Sequence, residues 1–288
     1  MDTQNIYQKV QDHYGSLARA ENSTHYSAIA KAFGYSEDEL NSIPKDANLG
    51  VSCGNPLATA SLREGETVVD LGSGAGFDIF LAAKKVGPQG RAIGVDMNKD
   101  MLARAHANLA KTPDAKHISF LEANITSIPL PNGTADCIIS NCVVNLVPEL
   151  EKPAVFAEMA RLLKPGGRVA ISDILAKKPL DEDLRQSMAL YVGCVAGASM
   201  REEYVRWLEG NGFEDIVVVD AESDLNVYID MAKENTGDSA GCCAPINKDI
   251  SSSNSPDTKH ADISLADINL NDWAGSFKIF AVKGAHFS

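Results

Sequence analysis

A glycine-rich turn between a strand pattern and a helix pattern constrains the fold of this chain more than any other feature. The β-type run at residues 67–71 passes directly into Gly72-Ser-Gly-Ala-Gly76, and a helical pattern follows over residues 77–86. Three closely spaced glycines let the backbone approach a ligand. The turn alone is weak evidence, because such glycines also serve to pack a helix on a strand or to bind a dinucleotide pyrophosphate. It nevertheless predicts the start of an α/β unit.

Strand and helix patterns keep alternating downstream of this turn. The strands are predicted at residues 91–95, 118–122, 135–141, 168–172, 213–220 and 277–283. Helices are predicted at residues 99–111 and about 153–163, with a helical insertion at about 181–210, and the Lys-Pro-Gly-Gly string at 164–167 is read as a breaker. Alternation of this kind predicts a parallel, doubly wound α/β sheet. The first sixty residues read as helical, with a capping-box pattern at Ser36 to Glu39.

The composition excludes several classes of function. The chain has 288 residues and a net charge of −13, which argues against binding to nucleic acid. No run reaches the roughly 18 apolar residues that a membrane helix needs, and the polar start does not resemble a signal peptide. We therefore expect a cytoplasmic protein with no membrane or nucleic-acid partner. Six cysteines are too sparse for a disulfide framework, so reduced thiols are expected.

The motifs around the turn resemble those of class I S-adenosylmethionine-dependent methyltransferases. The resemblance rests on Val69-Asp-Leu-Gly-Ser-Gly-Ala-Gly76, on Gly94-Val-Asp96, on Glu122-Ala-Asn-Ile125 and on the segments at 136–141 and 163–167. It covers roughly residues 60 to 175. It implies a Rossmann-like seven-stranded α/β sheet closed by an antiparallel hairpin, with a helical N-terminal segment and a helical insertion after the fifth strand.

The same resemblance implies a set of residues that bind S-adenosylmethionine. Asp70 and Gly72 would lie near the methionine moiety, Asp96 would hold the ribose hydroxyls, and Met97 would flank the adenine. The remaining expected cofactor residues are Ser73, Gly74, Gly76, Asn124, Ile125, Asn141 and Tyr14. Tyr14 matches a segment that reaches over the cofactor, although an aromatic side chain packed on the core is nearly as consistent with its position.

Three cysteines indicate what the methyl acceptor is. Cys53, Cys142 and Cys194 stand in the strings Ser-Cys-Gly-Asn-Pro, Asn-Cys-Val-Val-Asn-Leu and Gly-Cys-Val-Ala-Gly-Ala, which resemble arsenite methyltransferases. Cys142 directly follows the fourth strand, at the edge where open α/β sheets bind ligands. The resemblance implies that the three thiolates bind trivalent arsenic, whose lone pair then accepts the methyl group. Arsenite and methylated arsenicals would be the small-molecule substrates, and glutathione or a thioredoxin-like protein the external thiol reductant.

Two alternative functions stay open from the sequence. The chain could methylate another small molecule, such as a quinone precursor, with buried structural cysteines, or it could bind arsenicals without turnover. Cys137, inside the fourth strand, is read as a core residue. No cysteine occurs among residues 1–52, where many arsenite methyltransferases have one. A disulfide that supplies electrons would therefore have to form among the binding cysteines or recruit Cys242 and Cys243.

The composition and these motifs divide the chain into five predicted segments. They are a helical segment with Cys53 at 1–60, a cofactor-binding core at 61–175, an arsenic-binding insertion with the sixth strand at 176–234, a mobile Ser/Asn/Asp-rich loop at 235–260, and a C-terminal segment with the last strand at 261–288.

Overall fold

A twisted seven-stranded sheet organises the computed structural model, which describes residues 3–20, 26–180, 194–227 and 269–285. The strands are β1 Thr67–Leu71, β2 Arg91–Asp96, β3 Ile118–Glu122, β4 Ala135–Asn141, β5 Leu163–Ala176, β6 Phe213–Asp220 and β7 Ala274–Lys283. Their order is β3-β2-β1-β4-β5-β7-β6, in which β7 runs antiparallel to both of its neighbours. The predicted α/β sheet with a closing antiparallel hairpin is confirmed.

Helices cover both faces of the sheet and its carboxyl edge. They are α1 Thr3–Arg19, α2 Tyr26–Ala32, α3 Glu37–Asn41, α4 Leu57–Ala60, α5 Phe77–Val86, α6 Lys99–Leu109, α7 Lys152–Leu162 and α8 Arg201–Gly210. The predicted capping box at α3 is present, because the Ser36 side chain accepts from the Glu39 N–H while the Glu39 side chain accepts from the Ser36 N–H. Within the described residues, none of these helices has the length and apolar character needed to span a membrane.

The fifth strand differs from its prediction. The structure begins β5 at Leu163 and continues it to Ala176, so the supposed breaker lies inside the strand. Ala135 of β4 pairs with Leu163, whereas Cys137 pairs with Arg168, so the Pro-Gly-Gly residues form an irregularity between two paired stretches. Proline and glycine are tolerated at such bulges, and the pairing resumes beyond them.

The segment after β5 was predicted as a helical insertion over 181–210. Its end forms helix α8, whereas residues 194–200 form turns without a helix. Residues 181–193 and the predicted mobile loop at 235–260 lie outside the described residues, as do Cys242 and Cys243.

Three of the four apolar clusters among the described residues lie against the sheet or its carboxyl edge. One lies on the face of the sheet that carries α7 and α8, and a second lies on the opposite face, beneath α5. The third surrounds the carboxyl ends of the strands and includes Ile6 and Val10 of α1 together with Cys53, Cys142 and Cys194. The predicted site cysteines thus share one apolar environment at the edge where β1 and β4 end.

Candidate functional site

A cavity open to solvent lies between the carboxyl ends of β1 and β4, with about 710 Å³ of empty space when the solvent at its mouth is included. The strand order reverses between these two strands, which is the position where open α/β sheets bind ligands. Eight of the predicted cofactor residues line the cavity: Tyr14, Gly72, Gly74, Asp96, Met97, Asn124, Ile125 and Asn141. The other three, Asp70, Ser73 and Gly76, lie outside the lining. Asp70 and Ser73 are buried, and Gly76 is the N-cap residue of α5.

The turn after β1 needs glycine for steric reasons. Gly72 has a φ of +71°, and a Cβ atom at this position would collide with the side chain of Val143. The N–H groups of Gly72 and Ser73 both donate to the carbonyl oxygen of Val95, at 2.8 and 2.9 Å. This arrangement leaves the backbone of the turn as one wall of the cavity.

Two carboxylates lie at or near this wall: the half-buried Asp96, which lines the cavity, and the buried Asp70 behind it. Asp96 accepts hydrogen bonds from the N–H groups of Gly74 and Asn98, each at 2.8 Å. Burial raises the pKa of Asp96, and these hydrogen bonds partly oppose the rise. Burial, followed by repulsion from Asp78 and Asp96, raises the pKa of Asp70 well above its ordinary value. A cationic ligand in the cavity would favour the ionised form of each carboxylate.

Helix α1 forms another wall of the cavity. It contributes Tyr7, Val10, Gln11 and Tyr14 to the lining. The Tyr7 hydroxyl donates to Glu151 at 2.6 Å, and burial, with Glu151 adding to it, raises the pKa of Tyr7 to about 12. Sequence reasoning missed Tyr7, Val10 and Gln11. The helical periodicity of this segment indicated a buried face without indicating what that face covers.

The three predicted cysteines converge beside this cavity, although they lie far apart in the chain. The sulfur atoms of Cys53, Cys142 and Cys194 lie within 4.8 Å of one another, and all three side chains are buried. Cys142 also lines the cavity. Both Cys142 and Cys194 have positive φ angles, +59° and +65°, which are uncommon for residues other than glycine. Tight turns at these two residues therefore aim both side chains into the cluster.

The expectation that all the cysteines are reduced is wrong for one pair. Cys53 and Cys142 form a disulfide whose Cα atoms are 5.7 Å apart, within the usual range for such a bond. The Cys194 thiol lies alongside and donates to the carbonyl oxygen of Cys142 at 3.0 Å. Composition could not predict this bond, because it depends on two residues separated by 89 positions being brought together by the fold. The cluster is thus an oxidised pair next to a third thiol.

A buried polar network supports the Cys194 side of the cluster. Asp173 of β5 accepts hydrogen bonds from Asn145 at 2.8 Å and from the Tyr204 hydroxyl at 2.9 Å. The Lys152 ammonium donates to the Gly197 carbonyl oxygen at 2.6 Å and to Ser199 at 2.8 Å. Asp173 thus joins the segment after Cys142 and helix α8 to β5, and Lys152 joins α7 to the segment after Cys194.

Cys137 lies inside β4, outside the cluster formed by Cys53, Cys142 and Cys194. It is fully buried within β4, as predicted, and burial raises its pKa to about 12. Because a thiolate is the reactive and ligating form of cysteine, such a thiol is inert at neutral pH.

Comparisons with known proteins agree with the fold and the motifs. The family described as Methyltransferase domain matches residues 62–212. An arsenite methyltransferase of Halobacterium salinarum is 43% identical over 212 residues, which cover 69% of this chain and 54% of that protein. An arsenite methyltransferase of Aquipseudomonas alcaligenes is 32% identical over 243 residues, covering 81% of this chain and 69% of that protein.

A solved structure gives the same fold. The arsenic(III) S-adenosylmethionine methyltransferase CrArsM of Chlamydomonas reinhardtii aligns with a TM-score of 0.56 and 24% identity, covering 92% of this chain and 74% of that one. The chain spans about half the length of the halobacterial relative and about two thirds of that from Aquipseudomonas.

Proposed function

The chain belongs to the arsenite methyltransferase family, and from that membership we propose that it transfers methyl groups from S-adenosylmethionine to trivalent arsenic held by Cys53, Cys142 and Cys194. Methylated arsenicals are the products, and detoxification of arsenic is the biological role in this proposal.

The convergence of three buried sulfurs carries the proposal. Cys53, Cys142 and Cys194 come from three separate segments, and their sulfur atoms lie within 4.8 Å of one another. Soft thiolate ligands suit a thiophilic centre such as As(III) better than oxygen or imidazole ligands do. Binding of arsenous acid by three thiols releases three waters and leaves a pyramidal centre with a lone pair. That lone pair is the nucleophile, so no general base is required.

The cavity fits the methyl donor by the chemistry of its lining. S-adenosylmethionine supplies a methyl group on a cationic sulfonium when it is bound. Gly72 and Gly74 let the backbone approach it, and Asp96 offers a carboxylate for its hydroxyls. Burial raises the pKa of Asp70 near the end of β1, and a bound cation would favour its ionised form. Cys142 belongs both to the cavity lining and to the sulfur cluster, so it brings the acceptor to the donor.

Exclusion of water is the second contribution of the protein. Helix α1 covers the cavity with Tyr7, Val10 and Tyr14, and Val10 also packs in the apolar cluster around the cysteines. A dry, preorganised site favours transfer between two positioned reactants over competing hydrolysis.

Electrons for turnover come from thiols in this proposal. Each methyl transfer formally oxidises arsenic by two electrons, and two cysteine thiols that become one disulfide supply two electrons and two protons. The Cys53–Cys142 bond is the oxidised form of two of the proposed ligands. Glutathione or a thioredoxin-like protein would return the pair to thiols. Because both are reductants of the cytosol, the proposal places the protein in the cytoplasm.

Single Cys→Ser variants test the proposal. We expect Cys53→Ser, Cys142→Ser and Cys194→Ser each to lose arsenite-dependent methyl transfer by roughly 100-fold or more, since each removes one of three soft ligands. Cys137→Ala, a buried cysteine outside the cluster, is the matched control and should keep its turnover. Full turnover in all three serine variants would eliminate the thiolate mechanism.

The two alternatives give different results in the same assay. A methyltransferase for another small molecule would consume S-adenosylmethionine with its own acceptor and show no dependence on arsenite. A sequestering protein would bind arsenite through the trio and transfer no methyl group.

A further inference from the structure

Asn141 uses its side chain to hold the segment that carries Cys53. Its Oδ1 atom accepts a hydrogen bond from the Cys53 N–H at 3.2 Å, and its Nδ2 atom donates to the Gly54 carbonyl oxygen at 2.9 Å. One amide group therefore forms hydrogen bonds with both ends of the Cys53–Gly54 dipeptide. Although Asn141 was predicted to bind the cofactor, and it does line the cavity, both polar atoms of its side chain bond to this segment.

Two buried side chains fix the orientation of this amide. Asn141 Nδ2 lies 3.0 Å from Asp78 Oδ2 and 2.9 Å from the Tyr35 hydroxyl oxygen, and that hydroxyl donates to Asp78 Oδ1 at 2.7 Å. An ionised carboxylate can only accept hydrogen bonds, so the NH₂ end of the amide must face Asp78. The oxygen end then faces the Cys53 N–H. Tyr35 and Asp78 are both buried, so little water competes for these hydrogen bonds.

The position of Asn141 in the chain connects these hydrogen bonds to Cys142. Asn141 is the last residue of β4 and immediately precedes Cys142. Its backbone therefore sets the position of Cys142 while its side chain sets the position of Cys53. Further contacts hold Cys53 from the other side, where Ser276 donates to its carbonyl oxygen at 2.5 Å.

We propose that Asn141 is a positioning residue that sets Cys53 opposite Cys142, with Asp78 and Tyr35 fixing the direction of its amide. The inference deepens the proposed function, because the distance between these two sulfurs governs both their pairing as a disulfide and their joint binding of arsenic. Asn141 acts through the two cysteines and takes no part in methyl transfer itself.

The first test needs no arsenic. The protein is equilibrated in glutathione redox buffers, and the Cys53–Cys142 disulfide is quantified by peptide mapping with mass spectrometry. For Asn141→Ala, we expect the equilibrium constant for this disulfide to fall about tenfold, as the loss of two modest hydrogen bonds implies. Tyr35→Phe removes one hydroxyl and should lower it about threefold.

A matched control separates positioning from general loss of stability. Glu158 is buried in α7 and accepts hydrogen bonds from Ile128 and Arg161, and none of these three residues belongs to the sulfur cluster or lines the cavity. Glu158→Gln should destabilise the protein while leaving the disulfide constant within twofold of wild type. Wild-type constants for both Asn141→Ala and Tyr35→Phe would overturn the proposal. If Asn141→Ala does not fold, Tyr35→Phe alone decides.

The second test counts arsenic ligands in the reduced protein by X-ray absorption at the arsenic edge. Wild type and Glu158→Gln should show three sulfur neighbours, whereas Asn141→Ala should show two, as Cys53→Ser does. Three sulfurs in Asn141→Ala would contradict the inference. If wild type binds no arsenite, the proposed function fails, while the disulfide measurement still decides the role of Asn141.

Discussion

Replacement of Gly54 by alanine should displace Cys53 from the sulfur cluster. A Cβ atom at Gly54 would stand 2.6 Å from the Cβ atom and 2.8 Å from the Oγ atom of Ser172, whereas ordinary contacts begin at 3.4 Å. The two segments must therefore separate by about 0.8 Å. Ser172 lies in the central strand β5, paired with Asn141 on one side and Lys278 on the other, so the sheet cannot yield. The segment that carries Cys53 has to move instead.

The expected loss of catalytic rate follows from the size of this displacement. A misplacement of about 1 Å in a reacting group can cost about 100-fold in rate, so we expect Gly54→Ala to lower kcat for arsenite methylation by roughly 10- to 100-fold. Overpacking of this kind destabilises a core by about 1–3 kcal/mol, so the protein should still fold. Turnover is measured with labelled S-adenosylmethionine in the presence of a thiol, and stability by urea unfolding.

A second substitution should restore the catalytic rate that Gly54→Ala lowers. Ser172→Gly deletes both atoms that the new methyl group meets, so Gly54→Ala with Ser172→Gly should recover most of the lost rate. Gly210→Ala is the control, since a Cβ atom there meets nothing within 4 Å. A kcat for Gly54→Ala within threefold of wild type, or no recovery in the double variant, would refute the steric reasoning.

Three further predictions follow from other contacts. Gly72→Ala should abolish binding of S-adenosylmethionine in calorimetry, because its φ of +71° disfavours a side chain and the Cβ atom meets Val143. Tyr7→Phe removes the hydrogen bond to Glu151 and should raise KM for S-adenosylmethionine about fivefold with little change in kcat, since a net hydrogen bond contributes about 1 kcal/mol. Burial raises the pKa of Asp173 from 3.8 to about 7, so between these values the folded state holds a proton that the unfolded state releases. The free energy of unfolding should fall as pH rises through that window, by at most about 1.4 kcal/mol per pH unit, and urea titrations of Asp173→Asn should lack this component.

Local patterns were sufficient to predict the sheet and the place of the site. The turn at Gly72 to Gly76 needs glycine for steric reasons that act within a few residues, so the sequence records it directly. Cys142 could be assigned to the carboxyl edge because it directly follows an apolar strand. The meeting of the three cysteines was expected from the resemblance of their strings, and the structure brings their sulfurs together.

The sequence could not predict the long-range contacts. Asn141 bonds with Tyr35, Cys53 and Asp78, which lie 106, 88 and 63 positions away, and no local pattern links these residues. The Cys53–Cys142 disulfide depends on the same convergence. The irregular pairing that keeps the Pro-Gly-Gly residues inside β5 depends on register with β4, which the residues of one strand do not reveal.

The most direct test of the central claim identifies the arsenic species that the pure protein makes. The full chain is incubated with arsenite, methyl-labelled S-adenosylmethionine and glutathione, and the arsenic species are separated and counted for label. The proposed function predicts label in methylated arsenic, in amounts that depend on arsenite and are lost in Cys142→Ser. Label that never enters an arsenic species, in a protein that binds both arsenite and S-adenosylmethionine, would contradict it.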